Sequence, residues 1–134
     1  MPVLVDSSIW IDYFRSGKNS NKLDYFIDEN ILFINNLILA ELIPFLKIKK
    51  QRKIVILLNS INKLDLNINW DQIIDYQHKC LKKGINGIGI PDLIIAQNAI
   101  QNYCTVYSLD NHFKLMGNTI NLKFRAPDIK HEEC

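Results

Sequence analysis

Cysteine is scarce and poorly placed for chemistry: Cys80, Cys104 and Cys134 are odd in number, far apart, and lack a histidine or second cysteine at metal-ligand spacing. Neither a disulfide framework nor a zinc site is supported, so reduced thiols in a cytosol are expected, with Cys80 and Cys104 as small buried hydrophobes and Cys134 as a tail thiol. Arginine is confined to Arg15, Arg52 and Arg125, and a formal charge of +2 is too mild to mark the whole chain as a nucleic-acid binder. The local basic run is Lys47, Lys49, Lys50, Arg52 and Lys53. No apolar stretch approaches the ~20 residues of a membrane span, and the opening MPVLVDSSIWIDYF lacks a basic leader followed by a long apolar core. A soluble, cytoplasmic protein is expected. With 5 glycines and 4 prolines there is no linker, repeat or low-complexity segment.

What is present fits one domain over residues 1–134, with a polar tail at its end: 48% of residues are hydrophobic and 22% charged. PVLVD reads as a short buried strand stopped by a carboxylate, followed by a helix that Ser7 or Ser8 can cap and that carries Ile9, Trp10, Tyr13 and Phe14. Leu23, Phe26 and Ile27 mark a second helix. ILFI reads as a strand, Asn35 and Asn36 as caps, and LILAELIPFL as a helix that Pro44 should bend or end. Helical periodicity resumes from Lys49 to Asn59, and the alternation in LDLNI predicts a strand. NWDQIIDYQHKCLKKG is an amphipathic helix capped by Asn69 and stopped at Gly84. Pro91 suits the first turn of DLIIAQNAIQN, TVYSL is a strand, and NLKF is a last edge strand. Strands alternating with helices predict a parallel sheet covered on both faces.

Four acids fall where apolar runs meet helix starts or on a helix near one: Asp6, Glu41, Asp92 and Asp110. An acid at the carboxyl end of a parallel strand points into the crevice where open α/β sheets bind ligands. Converging carboxylates do not all stay ionised without a cation. Oxygen donors favour Mg²⁺ or Mn²⁺ over zinc, and such ions serve phosphoryl transfer without an obligatory histidine base. Each acid has a plainer reading, Asp6 as a cap, Asp110 as a turn former, Asp92 as a first-turn acid. Glu41 lies inside an apolar run, where a charge is seldom buried without purpose, although a helix exposing that face would also explain it.

The ordered blocks LVDSSIWIDYF, LILAELI, GIPDLIIAQNA and VYSLDNHF, from Leu4 to about Phe113, resemble PIN-domain ribonucleases of the VapC toxin type. The resemblance implies a three-layer α/β/α sandwich with a central parallel sheet of four to five strands. It further implies a Mg²⁺- or Mn²⁺-dependent endoribonuclease that leaves a 5′-phosphate and a 3′-hydroxyl, with RNA as substrate, a cognate antitoxin as partner and a homodimer as assembly. By the same resemblance Asp6 is the strand-end metal ligand, Glu41 the acid of the third helix, Asp92 the acid opening the helix after the glycine loop, and Asp110 the acid after the fourth strand. Asp6 and Asp92 rank first as ligands, Glu41 and Asp110 as direct or water-mediated ones. Ser8 and Ser108 match supporting hydroxyl positions. His112 stands where many members carry a further carboxylate, which weakens the case for a fifth ligand; it reads as an RNA contact or, more plainly, a surface residue.

Asp12 is expected to be structural or exposed, and the basic run either grips an RNA backbone or is a solvated face. Trp10, Tyr13, Phe14 and Phe26 suit core or partner packing better than base stacking. Two rival functions remain at this point. A phosphatase or phosphotransferase with an aspartyl nucleophile would favour a second acid close behind Asp6, where Ser7 and Ser8 stand. An inactive PIN-like binding module would attract a basic peptide and bind no Mn²⁺.

Overall fold

The structure is a computed structural model that describes residues 2–127, so Cys134 and the expected polar tail lie outside the described residues. Its elements, in chain order, are β1 (Val3–Val5), α1 (Ser7–Arg15), α2 (Leu23–Asp28), β2 (Leu32–Ile34), α3 (Asn36–Ile48), α4 (Arg52–Ser60), β3 (Asn62–Lys63), α5 (Trp70–Lys82), α6 (Ile90–Gln101), β4 (Thr105–Tyr107), α7 (Asn111–Ile120) and β5 (Phe124–Arg125). All strands are parallel, in the order β3-β2-β1-β4-β5. Parallel crossovers are right-handed, so the connections from β1 through β2 to β3 cover one face and those from β3 through β4 to β5 cover the other. The helix contacts agree: α3 packs on α1 and α4, while α5, α6 and α7 pack on one another. This is the three-layer α/β/α arrangement, with the strand order reversing between β1 and β4.

The central strands are apolar because they are covered twice. Val3, Leu4, Val5, Leu32, Ile34, Val106 and Tyr107 are all buried in one contiguous core with Ile9, Trp10, Phe26, Leu93, Ile95 and Phe113. The edge strands are two residues each and carry Lys63 and Arg125, which blunts them against pairing with other chains.

Three local expectations change. The first helix is capped by Asp6 rather than by a serine: Asp6 is extended and its carboxylate accepts from the Ser8 amide. Pro44 does not end α3, which runs on to Ile48. The carbonyl that loses its bond belongs to Ala40, and both residues face solvent, so water can satisfy it.

LDLNI is not a strand; β3 is the preceding pair Asn62 and Lys63. The segment's backbone is held by side chains of α6 instead, with Asn98 Nδ2 donating to Asp65 O at 2.9 Å and Gln101 Nε2 to Asn67 O at 2.9 Å. Asn98 also accepts from the buried Asn35, whose own carbonyl oxygen caps α3 by accepting from Ile38 N. That chain of amides ties the start of α3 to α6, the two helices that carry Glu41 and Asp92. Asp12 is structural: it accepts from Asn19 N, Asn19 Nδ2 and Ser20 Oγ and so fastens the loop after α1.

Candidate active site

β1 and β4 end side by side at the point where the strand order reverses, and both are followed by a capping aspartate. Asp6 is 5% exposed. Its Oδ2 accepts from Ser8 Oγ at 2.8 Å, Ser108 Oγ at 2.9 Å and Ser8 N at 3.4 Å. The two hydroxyls lie 3.2 Å apart, Ser8 Oγ accepts from Leu109 N, and Ser108 Oγ accepts from Asp110 N. Ser8 and Ser108 therefore lock the β4 end to the β1 end and fix the Asp6 rotamer. No described donor reaches the second oxygen of Asp6, which leaves it available as a ligand.

Asp110 repeats the device. Its Oδ1 accepts from His112 N at 2.9 Å to cap α7 and lies 3.3 Å from His112 Nδ1, while no described donor reaches its Oδ2. Asp6 is the cap that its plain reading made it, whereas Asp110, read plainly as a turn former, also caps a helix; in both, accepting a backbone amide holds the carboxylate in a fixed direction.

Asp92 sits in the first turn of α6, after Gly89 and Pro91. Glu41 lies on α3. Neither carboxylate has a hydrogen-bond or salt-bridge partner among the described residues. Partial removal from water, then the charges of Asp110 and Asp6, push Asp92 up to about 6, with His112 opposing. Glu41 is raised by partial removal from water and then by Asp6 and Asp92. Glu41 thus feels Asp6 and Asp92, and Asp92 feels Asp110 and Asp6, which links the acids named from the sequence pair by pair. The tightest group is a different one: Asp92, Asp110 and His112 offer ligand atoms all within 4.8 Å of one another. Sequence reasoning read His112 as an RNA contact or a surface residue, and the signals for it were its position two residues after Asp110 and the further carboxylate that the resembled family often carries there.

Asp92 is half-buried and Glu41 lies on an exposed face of α3, and both are unpaired and repelled by neighbouring acids. Such carboxylates suit a hard divalent cation, so the donors fit Mg²⁺ or Mn²⁺. An aspartyl-phosphate mechanism would favour a second acid close behind Asp6, and that position holds Ser7 and Ser8, of which Ser8 is engaged in holding Asp6 Oδ2.

Raised carboxyl pKa values make a definite prediction for the metal-free protein. The ordinary value for Asp92 is 3.8, and the folded value is about 6. Over that window the folded chain holds more protons than the unfolded one, so stability falls as pH rises from about 4 to about 6 and levels off above. Full burial would make the cost about 3 kcal/mol; solvent screening of this half-buried group lowers it to about 1–2 kcal/mol. Thermal unfolding across that range should show Asp92→Asn losing less stability with rising pH than the parent. Equal slopes would contradict the repulsion.

A doubly wound parallel sheet with carboxylates lining its switch-point crevice defines the class: an acidic-cleft α/β domain, with the cleft at the strands' carboxyl ends. The chain belongs to the PIN-domain family, whose model matches residues 3–118. PIN domains are generally nucleases. VapBC2 from Rickettsia felis, solved bound to a DNA fragment from its promoter, is similar at a TM-score of 0.74 and 23% identity, over 93% of this chain and 98% of that one. FitAcB from Neisseria gonorrhoeae is similar at 0.70 and 18% identity, over 93% and 97%. DNA-bound VapBC from Salmonella typhimurium is similar at 0.70 and 15% identity, over 93% and 97%. No curated protein matches the sequence. Among the described residues no helix is long and apolar enough to cross a membrane.

Proposed function

We propose that the protein is a Mg²⁺- or Mn²⁺-dependent endoribonuclease and the toxin of a cytoplasmic toxin-antitoxin pair. The observation that carries this reading is the closeness of Asp92 to Asp110, together with the charges of Asp6 felt by Asp92 and of Asp6 and Asp92 felt by Glu41, with Asp92 and Glu41 unpartnered by any described side chain. Asp6 and Asp92 are the ligands assigned first, with Glu41 and Asp110 binding directly or through water. A divalent ion held there supplies an activated water and charge for the phosphate oxygens. The chain's own contribution is position: Ser8 and Ser108 hold Asp6, and the α7 cap holds Asp110, before any substrate arrives. By resemblance the products carry a 5′-phosphate and a 3′-hydroxyl.

The antitoxin fits an apolar groove beside this site. A cavity of about 590 Å³ is walled by Ile11 and Phe14 of α1, Leu42 and Phe45 of α3 and Ile54 of α4, with Glu41 also on its lining. An extended or helical tail would lay apolar side chains there and reach the acids with a basic one. The structural likeness to VapBC and FitAcB chains supports such a partner, and a homodimer is proposed on the same ground. Phe45→Glu, at a residue 52% exposed on the groove, should leave RNA cleavage intact and abolish rescue by the co-expressed antitoxin. Rescue at the parent's level would show the groove to be misassigned.

The function itself is tested by mapping RNA ends after a brief pulse of expression, with Asp92→Asn as control. New 5′-phosphate ends that appear with the parent alone are the expected result. Identical end profiles from both would overturn the nuclease reading.

A further inference from the structure

We propose that His112 is a direct ligand beside Asp92 and Asp110, making the cation site a mixed carboxylate and imidazole one that selects Mn²⁺ over Mg²⁺. This rests on the reading of the crevice as a cation site and adds to it which ion the site prefers. Asp92, Asp110 and His112 each present a ligand atom, and these lie within 4.8 Å of one another. In an octahedral shell with bonds of roughly 2.1 Å, adjacent ligands stand about 3 Å apart and opposite ones about 4.2 Å. The 3.3 Å between His112 Nδ1 and Asp110 Oδ1 is close to the adjacent spacing. Only one of these two can stand opposite Asp92, so of the remaining pairs, each within 4.8 Å, one closes by up to about 0.6 Å to the opposite spacing and the other by up to about 1.8 Å to the adjacent one.

The imidazole is held ready for that position. His112 is the second residue of α7, and its backbone amide donates to the same Asp110 oxygen that its ring approaches, so ring and carboxylate move together. The loop before α6 lies against the other side of the ring: a Cβ built on Gly87 would stand 3.7 Å from His112 Nε2. Gly87 has φ of +79°, a conformation open to glycine at no steric cost, and it brings the bare loop backbone up to the imidazole. Asp92, five residues on, begins the helix that this loop delivers. The loop backbone and both acids thus stand beside a ring that keeps 36% of its side-chain surface exposed, which leaves room for an ion and its waters.

The donor set decides the ion. Mg²⁺ is hard, takes oxygen ligands and gives up water reluctantly; Mn²⁺ also takes oxygen ligands but, as a first-row transition ion, accepts a nitrogen donor more readily than Mg²⁺ does. Exchanging one oxygen donor for nitrogen therefore costs Mg²⁺ more than Mn²⁺.

The test uses the full chain, Mn²⁺ and Mg²⁺ titrations, and pulsed electron spin resonance of the bound Mn²⁺. The parent should show hyperfine coupling to one imidazole nitrogen. His112→Asp, which keeps a ligand but makes every donor oxygen, should still bind Mn²⁺ without that coupling, and its preference for Mn²⁺ over Mg²⁺ should fall by about tenfold. Mn²⁺ bound without nitrogen coupling in the parent, coupling that persists in His112→Asp, or an unchanged preference would each overturn the proposal while leaving the cation site standing. No Mn²⁺ binding in the parent would overturn both.

Discussion

Asp92→Asn should lose RNA cleavage by about 10³-fold or more, the range seen when a preorganised charge at a reacting centre is removed. The substitution keeps the side chain's size and removes its charge. The fold does not depend on that charge: Asp92 makes no hydrogen bond or salt bridge with a described residue, and burial together with Asp110 and Asp6 pushes its pKa up to about 6. Folded Asp92→Asn should therefore be at least as stable as the parent at neutral pH in the absence of metal, while failing in catalysis. Cleavage of end-labelled RNA at saturating Mn²⁺, with unfolding curves of the same preparations, reads both quantities. The loss should lie in kcat, since the phosphate backbone can still be held by the rest of the surface. A folded Asp92→Asn enzyme with parental kcat would remove Asp92 from the site.

Trp10→Ala should cost about 3–5 kcal/mol of stability, as large core truncations do, out of a total of roughly 5–15 kcal/mol for a domain. Trp10 is 0% exposed, stacks on Phe14 at 5.8 Å and meets Tyr13 edge-on at 6.2 Å. It supports the very helix whose start is Asp6, so its loss should also loosen the crevice. A buried ring cannot stack on a base, which makes Trp10 a core residue, whereas Tyr13 and Phe14 of the same helix keep part of their surface exposed. Trp10→Phe is the informative variant. The Trp10 indole nitrogen is buried with no hydrogen-bond partner, so replacement by a phenyl ring sacrifices no bond. That variant should stay folded in denaturant titrations, lose part of the packing energy, and cleave RNA with an unchanged KM. A raised KM at undiminished stability would mean that Trp10 contacts substrate after all.

Much of this was legible in the sequence because its signals are local. Three-residue strands such as Val3–Val5 and Leu32–Ile34 announce themselves as apolar runs ending in cap residues, and the order of strands and helices alone implies a parallel sheet. The four acids were recognisable by their position relative to those ends; Asp92 feels the charges of Asp110 and Asp6, and Glu41 those of Asp6 and Asp92. What the sequence obscured depends on neighbours far along the chain. LDLNI alternates as a strand does, and Leu64 and Leu66 are indeed half-buried beside exposed Asp65 and Asn67, but Asn98 and Gln101 occupy the hydrogen bonds a neighbouring strand would have made. Pro44 stayed inside α3 because the carbonyl it orphans is in water, a property of the helix face and not of proline. His112 looked like a surface residue because nothing in its own segment reveals that Gly87 and Asp92 lie against it.

The most direct test is a metal-controlled cleavage assay on the purified chain. RNA should remain intact with chelator, be cut to 5′-phosphate ends when Mn²⁺ is restored, and remain intact again when Asp92→Asn receives the same Mn²⁺. Undiminished cutting by the parent in chelator, or by Asp92→Asn in Mn²⁺, would contradict a metal-dependent site built on these acids.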